Sequence, residues 1–121
     1  MATIKTLLGN LKSSTYDVYS TNETVVGKWV DGKPIYRKVV KLSVVKHNAQ
    51  LISSVDNLIN TGGSFLWNGN LNHKYEFPCN DDDVMLCAAV LDNNITLRTN
   101  YTNDSLINFC AFFEYTKTTD A

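Results

Sequence analysis

The clearest pattern in the chain is the alternation of apolar and polar positions in its last third. Residues 84–91 form a near-continuous apolar run, which is typical of a strand buried on both faces. Residues 95–99 alternate cleanly, and residues 106–116 place one set of apolar side chains on one face: Ile107, Phe109, Ala111, Phe113 and Tyr115. Because side chains in a strand point to opposite faces in turn, a period of two predicts three strands here.

The middle of the chain contains a hairpin signal. Two β-rich runs, residues 25–30 and 35–45, flank the pair Asp31-Gly32. Gly tolerates a positive φ and Asp tolerates it better than most residues, so this pair predicts a tight turn of the primed type. Pro34 has no backbone N–H, which places it at a strand start or on a sheet edge.

The region between the hairpin and the last third is ambiguous. Apolar residues in residues 47–61 recur at helical spacing, yet Ser, Asp and Asn are weak helix formers. We expect a short helix or turn there, then a brief strand that ends at residues 61–64, Thr-Gly-Gly-Ser. The Asn68-Gly69-Asn70 sequence predicts a second turn between two further strands.

Together these elements predict an all-β protein, an antiparallel, jelly-roll-like β-sandwich with one short helix. The length of 121 residues corresponds to one domain. We expect residues 1–18 to form an N-terminal arm or short helix and residues 19–121 to form the sandwich.

Composition excludes several classes of partner. The formal net charge is −1, so a concentrated basic face for nucleic acid is not expected. No apolar run approaches the roughly 20 residues that span a bilayer, so membrane insertion is not expected either. The three cysteines lack a C-x-x-C spacing, and Cys87 and Cys110 lie in apolar runs, which predicts buried free thiols rather than disulfides or a zinc site.

Catalytic motifs are absent from the sequence. It has no nucleophile elbow and no phosphate-binding glycine loop. Residues 81–83 are three consecutive aspartates, but the EF-hand pattern is missing, so an acidic loop before the next strand is the simpler interpretation. We expect no catalytic residue, no metal and no cofactor. A polysaccharide-degrading enzyme stays a minor alternative, because the spatial separation of two carboxylates decides that chemistry.

One group of residues has the chemistry of a saccharide site. Trp67, Tyr75 and Tyr101 lie beside asparagine-rich turns that include Asn68 and Asn70. An aromatic ring offers an apolar face to a sugar ring, and neighbouring amides offer hydrogen bonds to its hydroxyls. We therefore predict these five residues as ligand-binding. The alternative is that the rings anchor loops onto the core.

Two segments resemble a known family. Residues 19–38 contain W-V-D-G-K-P-I-Y-R-K, and residues 114–120 read E-Y-T-K-T-T-D. Both are similar to the signature of tail-fibre and receptor-binding-type structural proteins of bacteriophages and prophages.

The resemblance implies a β-sandwich on a virion appendage, made in the cytoplasm of the bacterial host and assembled as a homotrimer. Its implied partners are other virion proteins and a glycan or protein of the host cell surface. A head-fibre or capsid-decoration protein with a purely architectural role is the alternative. The family supplies no catalytic motif, and its hairpin is expected to be scaffold, with recognition in the variable loops.

Overall fold

A computed structural model describes residues 18–81, 83–101 and 103–120. The regular elements in these residues are all strands, and each one pairs antiparallel with its neighbours. In chain order they are β1 (Thr24–Lys28), β2 (Pro34–Val44), β3 (Gln50–Ile52), β4 (Val55–Trp67), β5 (Asn70–Phe77), β6 (Cys79–Asn80), β7 (Met85–Leu91), β8 (Asn94–Thr99) and β9 (Leu106–Lys117).

The strands form two sheets that pack face to face. The first sheet has the order β1-β2-β9-β4-β5, and the second has the order β3-β8-β7-β6. Side chains from both inner faces fill one core, which confirms the predicted all-β sandwich. Its largest fully buried members are Tyr115, Phe65, Phe109, Phe113, Leu86, Ile95, Leu97 and Leu106.

The predicted hairpin is present as β1 and β2, but its turn is wider than a two-residue primed turn. The Trp29 N–H donates to the Lys33 carbonyl at 2.9 Å, and the Gly32 N–H donates to the Trp29 carbonyl at 2.9 Å. Gly32 adopts a φ of 88°. The Asp31 carboxylate accepts the Lys33 N–H at 2.9 Å. Gly32 thus supplies the left-handed residue that closes a three-residue loop.

Strand β9 is the centre of the larger sheet and pairs with both β2 and β4. Phe109, Ala111, Phe113 and Tyr115 are buried on its inner face, as the alternation predicts. Ile107 does not share that face. Asn108 has a φ of 53°, which interrupts the alternation, so the neighbouring Leu106 is buried in its place.

The helix predicted within residues 47–61 is wrong, whereas the turn given as its alternative is present at residues 47–48. The segment then forms β3 and the first part of β4. The pairing of β4 with β9 shifts register between Val55 and Asn57 and again between Leu58 and Asn60. Each shift adds a residue to one strand and breaks the period of two, so the apolar positions imitate a helical spacing.

The prediction that residues 61–64 end an element is also wrong, because they lie inside β4. A Cβ atom on Gly63 would be 2.1 Å from the carbonyl oxygen of Cys110, and one on Gly62 would be 3.0 Å from the Phe112 ring. Both glycines allow β4 to approach β9 closely, so here glycine marks close packing rather than a strand end.

Strand β7 is buried on one face only. Leu86 is fully buried, whereas Cys87 and Ala89 on the opposite face are half-buried. All three cysteines are free and partly exposed, so the expected full burial of Cys87 and Cys110 is wrong. Small side chains on an uncovered face produce an apolar run without a second packing layer.

The arm or helix predicted for residues 1–18 lies outside the described residues except for Val18, which belongs to no regular element. In the part of the chain that the structure describes, no helix is long and apolar enough to cross a membrane.

Candidate functional site

A hollow of about 380 Å³ opens near one end of the sandwich, and we call it the aromatic hollow. Its lining comes from the β4–β5 hairpin, from the loop before β7 and from the loop after β8. The lining residues are Trp67, His73, Tyr75, Asp83, Val84 and Tyr101. Three of the five predicted ligand-binding residues, Trp67, Tyr75 and Tyr101, therefore meet at one place.

Trp67 is the last residue of β4 and lies over the turn that follows it. A Cβ atom on Gly69 would be 2.5 Å from the indole ring, so glycine at this turn makes room for the side chain. The indole also stacks on the His73 ring, with a centroid distance of 6.4 Å and an interplanar angle of 25°. The turn and the imidazole together hold the indole at the edge of the hollow.

Tyr75 lies on β5 and packs against the core. Its ring stacks on the buried Phe65 ring with centroids 5.4 Å apart and an interplanar angle of 15°. Burial raises the pKa of the Tyr75 phenol, and the nearby negative charges of Asp81 and Asp83 raise it further. The phenol is therefore a neutral hydrogen-bonding group at physiological pH.

Tyr101 and Asp83 come from separate loops that Asn100 joins. The Asn100 side chain accepts the Met85 N–H at 2.9 Å and donates to the Asp83 carbonyl at 3.3 Å. The Tyr101 N–H in turn donates to the Thr99 hydroxyl at 3.1 Å. These bonds hold the loop after β8 against the loop before β7, which brings a third ring and a carboxylate to the hollow.

The two predicted asparagines stay outside the lining. The Asn68 backbone N–H donates to the Ser105 carbonyl at 2.7 Å, and the residue is exposed. The Asn70 side chain lies 3.2 Å from His73 Nε2 and also accepts the Asn72 N–H at 3.0 Å. Asn70 therefore orients His73 and the turn, while Asn68 fixes the hairpin to the loop before β9.

Sequence reasoning missed His73, Asp83 and Val84. His73 lies on β5, two positions before Tyr75. Alternation along a strand puts residues two apart on the same face, and this signal could have identified it. Asp83 carries no such alternation signal; its loop comes to Tyr101 through the pairing of β7 with β8, in which Leu86 is opposite Thr99, and through the Asn100 side chain.

The acidic segment near the hollow has the geometry of a turn. The Asp81 N–H donates to the Val84 carbonyl at 2.8 Å, and the Asp83 N–H approaches the Asp81 carboxylate at 3.4 Å. Within residues 18–81, 83–101 and 103–120, no group of three or more His, Cys, Asp or Glu side chains could hold a metal ion.

A second recess, of about 340 Å³, lies beside β2 and β3. Glu23 is one of its lining residues and accepts hydrogen bonds from the Tyr115 hydroxyl and the Lys117 ammonium. Burial favours a higher pKa for the Glu23 carboxyl, but these two hydrogen bonds and the charges of Lys117 and Lys38 lower it below its usual value. The recess is polar and contains no aromatic ring, so it offers no platform for a sugar.

Comparisons with protein-family models, curated protein sequences and solved structures give no match to this chain.

Proposed function

We propose that this protein is a virion structural module that binds a saccharide of the host cell surface in the aromatic hollow. The observation that carries the proposal is the meeting of Trp67 and Tyr75, from the β4–β5 hairpin, with Tyr101, from the loop after β8, around one concavity. Binding sites for small ligands are concave and mostly apolar, with a few polar groups that orient the ligand.

The chemistry of the lining suits a sugar. The three rings supply apolar faces for the C–H groups of a pyranose, while Asp83, His73 and the two phenols supply hydrogen-bond partners for its hydroxyls. The assignment to a phage appendage rests on the resemblance of residues 19–38 and 114–120 to the phage family.

The test is a glycan array followed by titration calorimetry with the ligands that it identifies. Trp67→Ala removes one ring of the platform and should weaken binding at least about tenfold, which corresponds to about 1.4 kcal/mol. Trp29→Ala is the matched control, because it removes the other tryptophan at the distant hairpin turn and should leave affinity unchanged.

Trp67 also packs against the core, so its removal could weaken the fold itself. Gly69→Ala is therefore the second variant. It leaves every ring in place but forces the indole to move, since the new Cβ atom would lie 2.5 Å from it. Weaker binding at an unchanged melting temperature supports the site. Unchanged affinity in both variants, or an array with no bound glycan, contradicts the proposal.

A second candidate function is the purely architectural role of a head-fibre or decoration protein. It is favoured by exposed valines along the hairpin: Val25 is 62% exposed, Val26 is 39% exposed and Val30 is 91% exposed. Such residues are typical of surfaces that contact another protein subunit. A decoration protein would bind virion particles that lack it and would bind no glycan, which a co-sedimentation assay can separate from the first proposal.

A further inference from the structure

The charges around the aromatic hollow are predominantly negative. Asp83 is part of the lining, and the charges of Asp81 and Asp83 both reach the Tyr75 phenol, whose pKa they raise. Neither Lys nor Arg occurs among the described lining residues. The hollow therefore offers a carboxylate to its ligand but no fixed positive charge.

Lys74 and Lys46 are not among the lining residues. Lys74 lies between His73 and Tyr75 on β5, so alternation directs it to the opposite face of the sheet. Lys46 lies before β3 and forms an ion pair with Asp104, so its charge is compensated. An anionic ligand such as a uronic acid or a phosphate would meet Asp83 with no Lys or Arg among the described lining residues to balance it.

Aromatic rings add to the preference for positive charge. The faces of Trp and Tyr rings carry a negative electrostatic potential and attract ammonium groups within about 6 Å of the ring centroid. Three such rings beside one carboxylate form the kind of environment that binds alkylammonium and quaternary ammonium groups.

We propose that the aromatic hollow selects a ligand with a positively charged nitrogen, namely a surface glycan that carries a free amino sugar or a choline substituent. The inference rests on the proposed function, because it names the class of glycan that the same hollow binds. The rings surround the ammonium group, and the Asp83 carboxylate balances its charge.

The test uses the intrinsic fluorescence of Trp67. The chain contains two tryptophans, so Trp29→Phe leaves Trp67 as the single tryptophan, whose emission is excited selectively at wavelengths that tyrosine does not absorb. This variant is titrated with glucosamine, N-acetylglucosamine, glucuronic acid and choline, at a pH at which the amine of glucosamine is protonated. Glucosamine should bind at least about fivefold more tightly than N-acetylglucosamine, which corresponds to about 1 kcal/mol, and glucuronic acid should bind most weakly.

Asp83→Asn then removes the charge while it preserves the shape of the side chain. The preference for glucosamine should fall below about twofold, with the affinity for N-acetylglucosamine unchanged. Asp92→Asn, at the exposed turn between β7 and β8, is the matched control and should retain the full preference.

The outcomes separate the two proposals. Equal affinity for glucosamine and N-acetylglucosamine overturns the selection for charge but leaves the saccharide site standing. Binding of choline without binding of glucosamine supports the ammonium site and identifies choline as the source. Absence of binding by all four compounds, together with an empty glycan array, overturns both.

Discussion

At the scale of single residues, two close contacts have the largest consequences for stability. Gly63 touches the backbone of β9, and Arg37 forms an ion pair with Glu114 that is almost wholly shielded from solvent. Both contacts join β9 to a neighbouring strand in the larger sheet. Substitutions at either point act on the pairing of β9, the central strand of the larger sheet.

Gly63→Ala should lower the free energy of unfolding by about 2 kcal/mol or more, because backbone atoms of Cys110 and Ala111 cannot yield to a new methyl group. Gly27→Ala is the matched control on the exposed strand β1, where the nearest atom to a new Cβ is 3.9 Å away. Its effect should stay within about 0.5 kcal/mol. Urea denaturation measures the loss of unfolding free energy in both variants. Equal losses would contradict the close approach of β4 to β9.

Glu114→Gln should cost about 1.5–3 kcal/mol, because a neutral amide replaces the carboxylate that accepts two hydrogen bonds from Arg37. The Glu114 carboxylate accepts hydrogen bonds from Arg37 Nε at 3.1 Å and Arg37 Nη2 at 2.7 Å. Asp104→Asn breaks the exposed ion pair with Lys46 and should cost less than about 1 kcal/mol. Thermal denaturation of the two variants in one buffer compares their losses of stability. A larger loss for Asp104→Asn than for Glu114→Gln would contradict this prediction.

At the scale of elements, Glu23 fastens the segment before β1 onto β9. Its carboxylate accepts hydrogen bonds from Tyr115 and Lys117, so two residues near the end of β9 hold the start of the hairpin. Burial and the Glu23 charge raise the pKa of the Tyr115 hydroxyl, which keeps this donor protonated.

This contact predicts a pH dependence of stability. The folded state lowers the pKa of Glu23, so the stabilisation is present above the ordinary pKa of a glutamate, about 4.3, and is lost as the pH falls through the lower folded value. Glu23→Gln should therefore be less stable than the natural protein at pH 7, with a smaller difference at low pH. Glu76→Gln, on the exposed face of β5, is the control. If the difference in stability between Glu23→Gln and the natural protein does not change with pH, the role assigned to the Glu23 carboxylate is contradicted.

At the scale of the whole molecule, the hairpin edge bears on the predicted homotrimer. Strand β1 is exposed at every residue and forms one edge of the larger sheet. An uncovered edge with apolar side chains tends to pair with another chain. We expect a homotrimer, as the resemblance implies, with this edge inside the subunit contact.

Light scattering at micromolar concentration should therefore give a mass three times the 13.6 kDa of the chain. The double variant Val25→Ser and Val30→Ser should shift the population towards monomer, because it removes apolar area from the contact. Leu71→Ser, at an exposed position on β5, is the matched control and should leave the mass unchanged. A monomeric natural protein would contradict the trimer, and an intact trimer in the double variant would place the contact elsewhere.

The sequence by itself determined the class of fold, the positions of both hairpin turns and the inner face of β9 from Phe109 to Tyr115. These features depend on alternation and on turn residues, which act over a few neighbouring positions. It also identified Trp67, Tyr75 and Tyr101 as candidate ligand-binding residues, because their residue types beside polar turns suggest that chemistry.

Only the tertiary structure decided how the remaining parts come together. The course of β4 through residues 55–67 depends on pairing with β9, whose register shifts conceal the period of two. The hollow depends on the pairing of β7 with β8 and on the Asn100 side chain, which bring the Asp83 loop to Tyr101, and on the position of both loops beside the β4–β5 hairpin. Local residue preferences act between neighbours in sequence, whereas a binding site is made by contacts between residues that are distant in sequence. The residue types could therefore be predicted in advance, but their convergence at one hollow could not.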